Sequence, residues 1–167
     1  DRLDDVLAAV LACWGADPVQ HSGPFYDVPL SDVRPKPVQQ PRPPLMSGMW
    51  SRRGLERTAR LFDIWAPVEG AVVSDGTTQL TEERILQEVD WLRRRAEDLG
   101  RPAPQLWVNV GASREIDEQV ERVSSWRATG VVDQVTVSLG SSTTIRGEDD
   151  WIERASSLDR VLDAAQG

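Results

Sequence analysis

The stretch Pro43-Pro44-Leu45-Met46-Ser47-Gly48-Met49-Trp50-Ser51-Arg52-Arg53-Gly54-Leu55 decides how the chain folds. A short apolar run after two prolines fits the start of a buried strand. Gly48 breaks the run. Ser51 stands where a helix N-cap would stand, and Leu55, Thr58, Ala59 and Phe62 follow at helical spacing. The expected order is strand, tight glycine turn, helix over residues 51–62. Such a turn presents free backbone N–H groups and the positive end of a helix dipole, both suited to a phosphate. Arg52 and Arg53 add charge there. One glycine and one serine are also what a plain βα connection with solvated arginines contains, so the turn alone leaves both readings open.

Upstream, Leu3, Val6, Leu7, Val10, Leu11 and Trp14 form an apolar stripe at i, i+3, i+4, i+7, i+8 and i+11, the pattern of an amphipathic helix. Gly15 and Asp17-Pro18 end it. Residues 16–44 form an excursion before the first parallel strand. Within it His21 to Pro24 reads as a loop and Phe25 to Val28 as a short extended piece. Pro35, Pro37, Pro41, Pro43 and Pro44 exclude helix and disfavour interior strand. A stiff linker or a polyproline recognition segment is the plain alternative.

Downstream, strands are expected over residues 64–68, 105–111 and 134–139. Helices are expected from Thr81 to a stop at Gly100, over 115–129, and over a last segment carrying Trp151, Ile152, Ala155, Leu158, Val161, Leu162 and Ala165. Arg93, Arg94 and Arg95 lie among Glu88, Asp90, Glu97 and Asp98, which marks a solvated, salt-bridged helix face. After residue 44 the order is β-α-β-α-β-α-β-α, an α/β pattern of parallel strands joined by helical crossovers. Ligands of such sheets bind beyond the carboxyl ends of the strands. Here those ends are the loops 47–53, 69–78, 111–114 and 140–146.

With 167 residues the chain is expected to be a single domain, residues 1–167, burying about 70% of its unfolded surface. Its 19 basic and 27 acidic residues give a net charge of −8. That balance argues against a nucleic-acid backbone or an anionic membrane as partner. A lone Cys13 excludes an internal disulfide and points to the cytoplasm, and no apolar run reaches the ~20 residues of a membrane span. One histidine and one cysteine do not make a zinc site. His21 reads as a surface loop residue. With Asp63 and Glu69 it is a candidate acid or base by position only, so no catalytic residue is assigned. Asp at position 1 suggests a chain that begins partway through a larger protein.

Several segments together resemble the C-terminal half of the luciferase-like monooxygenases, the flavin- and deazaflavin-dependent oxidoreductases. They are Leu11 to Gly15, Gly23 to Tyr26, Lys36 to Pro44, Gly48 to Ser51, Ala59-Arg60-Leu61 and Asp63 to Pro67. The resemblance implies half of a (β/α)8 TIM barrel: four parallel βα units, strands five to eight, preceded by a helix and the proline-rich excursion. It implies FMN or the deazaflavin coenzyme F420 as cofactor. Gly48, Met49, Trp50, Ser51 and Arg52 would surround the cofactor phosphate, with Arg52 or Arg53 neutralising its charge. Chemistry in the family, hydride transfer or oxygen activation on a small-molecule substrate, belongs to the cofactor. The partner implied is the missing N-terminal half or a second copy of the chain, and the isolated chain is expected to show little or no turnover. Three departures stand out: Ser47 replaces a frequent glycine, Asp63-Ile64-Trp65 replaces Asp-Gly-Trp, and Ile145-Arg146-Gly147 lacks the usual prolines. Two other readings stay open, a non-catalytic half-barrel that dimerises and a small doubly wound α/β phosphate-binding domain.

Overall fold

The computed structural model describes residues 2–71, 79–111 and 116–137 and positions 149, 152, 156, 160 and 163. The chain divides into two compact units, Asp1–Pro43 and Pro44–Gly167.

The first unit begins with α1 (Arg2–Trp14), followed by the antiparallel hairpin of β1 (Val19–Ser22) and β2 (Asp27–Ser31). The expected loop at His21 is therefore strand. The hairpin is set by its tip, where the Gly23 N–H bonds the Tyr26 carbonyl at 3.0 Å, and by a side chain from α1. Asp5 is buried, and its Oδ2 accepts the backbone N–H groups of Phe25 (2.8 Å) and Tyr26 (2.9 Å). An ionised carboxylate only accepts, so His21 Nε2 donates to Asp5 Oδ1, at 2.8 Å. His21 is thus a docked strand residue, its side chain 14% exposed, and not a surface loop histidine. A β-carbon on Gly23 would lie 1.7 Å from Asp5 Oδ1, so only glycine closes this tip. Beyond β2, residues 32–43 have no regular structure, as their prolines require. Asp17 holds this segment through Lys36 Nζ (2.6 Å), Arg34 (3.2 Å) and the Val33 N–H (3.1 Å).

In the second unit the strands are β3 (Met46–Ser47), β4 (Ile64–Trp65), β5 (Val68–Glu69), β6 (Gln105–Val110) and β7 (Gln134–Val137). The helices are α2 (Arg52–Leu61), α3 (Glu82–Asp98) and α4 (Ile116–Ala128). Every described strand pairing in this unit is parallel. Ile64 pairs with Gln105 and Val68 with Asn109, the same offset, so β4 and β5 are one strand interrupted at Ala66-Pro67. The lateral order is then β3, β4/β5, β6, β7, the order of the sequence, with no reversal.

Alternation along β6 buries Leu106, Val108 and Val110. They join Trp65, Leu55 and Ala59 of α2, Ile85, Val89 and Leu92 of α3, and Trp126 of α4 in one core. All three helices therefore contribute to the core on one face of the sheet, unlike the two-sided cover of a doubly wound domain. The opposite face carries Met46, Val68, Trp107 and Asn109, with Met46 49% and Val68 43% exposed.

Two aspartates set the strand starts. Asp63 Oδ2 accepts the Leu45 N–H, and Asp133 Oδ2 accepts the Leu106 N–H, each at 2.7 Å. Each sits just before a strand and satisfies a backbone donor of the neighbouring one. Ion pairs then join α2 to α3: Arg95 to Glu56 at 2.6 Å, and Arg52 to Glu88 at 3.1 Å. Glu88 is buried between Arg52 and Arg84, not part of a solvated face. Arg93 donates to the Val131 carbonyl at 3.3 Å. The expected loops at 72–78, 112–114 and 140–146 and most of the last helix lie outside the described residues. Ile152 is helical and 59% exposed.

Candidate active-site rim

Ser51 is the N-cap of α2, as expected: its Oγ accepts the Gly54 N–H at 3.2 Å. The turn before it is held by a buried hydroxyl chain. Thr58 Oγ1 donates its only hydrogen to the Gly54 carbonyl at 3.0 Å. The 2.9 Å bond between Ser47 and Thr58 must therefore be donated by Ser47. Ser47 Oγ in turn accepts the Met49 N–H at 3.2 Å. The Met49 carbonyl accepts Trp65 Nε1 at 2.8 Å. Both backbone polar groups of Met49 are thus fixed by side chains of β3 and β4.

Gly54 matters more sterically than Gly48. A β-carbon at Gly54 would sit 2.6 Å from Met49 Cβ, whereas one at Gly48 would meet only the Ala66 carbonyl at 3.5 Å. Sequence reading singled out Gly48. The cue for Gly54 was its place in the first turn of a helix, where glycine is intrinsically unfavourable.

Among the described residues, the backbone N–H groups of Trp50, Ser51 and Arg52 make no hydrogen bond. They lie where β3 ends and the α2 dipole begins. The Arg52 guanidinium points elsewhere. It stacks 4.3 Å over the Trp91 ring and pairs with Glu88, so Arg52 offers this turn its backbone N–H while its charge ties α2 to α3.

Glu69, at the carboxyl end of β5, is buried on the helix-covered face. Arg122 donates to it at 2.5 Å and Trp126 Nε1 at 3.1 Å. Arg122 also reaches Glu82 at 2.7 Å. Burial pushes the Arg122 guanidinium down, but the hydrogen bonds it donates to Glu69 and Glu82 outweigh it and hold the group above its ordinary value. The cluster joins the end of β5 to the starts of α3 and to α4. A cleft of about 310 Å³ lies beside it, lined by Gly70, Gln79 and Thr81 among others.

Of the other two candidate acids and bases, one belongs to this unit. Asp63 lies at the opposite, amino end of the sheet, next to Leu45 N–H and 3.9 Å from Arg101. His21 belongs to the first unit. Among the described residues no group of three or more potential metal ligands occurs, and no helix is long and apolar enough to cross a membrane.

A family model described as luciferase-like monooxygenase matches residues 1–125. Among solved structures, the monooxygenase RslO1 from Streptomyces bottropensis superposes with a TM-score of 0.53 at 16% identity. That likeness covers 99% of this chain and 49% of the RslO1 chain, so the chain spans about half the length of that relative. No curated protein matches the chain.

Proposed function

The chain belongs to the luciferase-like monooxygenase family, and from that premise we propose that it is the cofactor-phosphate-binding half of a flavin- or deazaflavin-dependent oxidoreductase. Its four parallel strands are read as strands five to eight of a (β/α)8 barrel. The sequential strand order and the core on one face support this, because a barrel wall needs both.

The observation that carries the cofactor site is the turn after β3. Three backbone N–H groups without a partner among the described residues, on Trp50, Ser51 and Arg52, stand at the positive end of a ten-residue helix. The turn is already rigid, because Ser47, Thr58 and Trp65 hold Met49. A phosphate entering it therefore costs little ordering. FMN or coenzyme F420 fits such a donor set through its phosphate, with Gly48 allowing close approach of the backbone. When bound, the cofactor supplies the redox chemistry. The chain's own part is to hold the anionic tail and to line one side of the ring site.

The face bearing Met46, Val68 and Trp107 is where the complementary four strands would pack, supplied by an N-terminal half or by a second copy. Tryptophan fluorescence quenching tests the cofactor claim. FMN should quench saturably, and riboflavin, which lacks the phosphate, at least tenfold more weakly. Equal quenching by both would refute phosphate recognition. Light scattering separates the two partners: a dimer favours the second copy, a monomer the separate half.

A further inference from the structure

We propose that Asn109 is a specificity-determining residue, reading the imide edge of the cofactor's ring system. This rests on the function proposed above and deepens it.

The register carries the inference. Val68, Asn109 and Thr136 form one row across β5, β6 and β7. Their neighbours Glu69, Val110 and Val137 form the next row, and Val110 is buried in the helix-covered core. Alternation therefore turns Asn109 to the other face, one residue from the carboxyl end of its strand. Its backbone N–H is spent on the Pro67 carbonyl at 2.9 Å. Among the described residues its carboxamide makes no hydrogen bond, although the residue is half-buried. The flanking groups cannot take over its role. Val68 is apolar, and Thr136 Oγ1 donates its hydrogen to the Val108 carbonyl at 3.3 Å. On β6 itself, Trp107 forms one border and Gly111, which has no side chain, the other.

A carboxamide between an indole, a valine and an open glycine position offers one donor and one acceptor side by side over an otherwise apolar floor. That pattern complements a planar ring with adjacent C=O and N–H groups, a cyclic imide. Two strand spacings, about 10 Å, separate Asn109 from the turn after β3. A phosphorylated polyol tail bridges that distance, so one ligand engages both.

The test uses the whole chain, with FMN and ribose 5-phosphate as probes, followed by calorimetry. Ribose 5-phosphate is a five-carbon sugar phosphate that mimics the polyol phosphate tail and lacks the flavin ring. Asn109→Ala and the isosteric Asn109→Asp should each weaken FMN about tenfold, the loss expected for a paired amide, and leave ribose 5-phosphate unchanged. Thermal melts check that both variants are folded. Unchanged FMN affinity in both folded variants overturns the role of Asn109 while leaving phosphate binding intact. Wild-type chain that binds neither probe overturns the functional proposal itself, and this inference with it. An equal loss for both probes overturns ring recognition and assigns Asn109 to the general shape of the site.

Discussion

Replacing Thr58 by valine tests the hydroxyl chain that shapes the turn after β3. Valine keeps the shape of threonine and removes one oxygen. Thr58 is fully buried and Ser47 is 4% exposed. In Thr58→Val the Ser47 hydroxyl loses its acceptor, and the Gly54 carbonyl loses the side-chain bond it receives. A buried hydroxyl hydrogen left without an acceptor costs about 1–3 kcal/mol. For a chain of this size that is a fall in Tm of roughly 2–12 °C. Urea unfolding of Thr58→Val, Ser47→Ala and the double variant forms a cycle. The double variant removes donor and acceptor together, so it should be no less stable than Thr58→Val alone. Its remaining cost is the Met49 N–H and the Gly54 carbonyl, each without its side-chain partner. If Thr58→Val is as stable as the wild type, or if the two losses simply add, the donor order Met49 to Ser47 to Thr58 to Gly54 is wrong.

Gly54→Ala should destabilise, because its β-carbon meets Met49, although alanine in a helix is ordinarily worth about 1 kcal/mol more than glycine. Gly48→Ala should be close to neutral in the same melts. Arg122→Met takes the guanidinium away from the buried Glu69 carboxylate and should cost about 3 kcal/mol, whereas Glu69→Gln should cost less. In the first unit, burial pushes the Asp5 carboxyl up, but hydrogen bonds from His21, Phe25 and Tyr26 outweigh it and hold it below its ordinary value of 3.8. A carboxyl held low stabilises the fold above its unfolded-state pKa, and that contribution is lost as pH falls through the folded value. Amide exchange at Phe25 and Tyr26 should therefore lose protection only below about pH 3.8, and Asp5→Ala should lack it at neutral pH.

Much of the parallel unit was legible because its signals are local. Ser51 and Thr81 cap their helices as expected, and Gly100 and Gly130 end theirs with φ of 64° each. The apolar alternation of β6 places its core face directly. Other features are invisible to periodicity because they pair residues far apart in the chain. Nothing near Asp5 in the sequence announces that it will hold Phe25 and Tyr26, so the strand at His21 read as a loop. Glu88 looked solvated because its partner Arg52 is 36 residues away. Arg52 looked like a phosphate ligand for the same reason, since Trp91 and Glu88 claim its guanidinium only once α2 and α3 are packed. Asp63 and Asp133 share a place before a strand, yet their common task appears only when the neighbouring strand is known.

The central claim is that the mouth of α2 receives an anionic cofactor tail. Proton–nitrogen correlation spectra of the chain, recorded during FMN titration, test it most directly. The backbone amides of Trp50, Ser51 and Arg52 should shift together and saturate, and riboflavin should leave them unmoved. Shifts confined to other residues while FMN binds, or the same shifts with riboflavin, would contradict it.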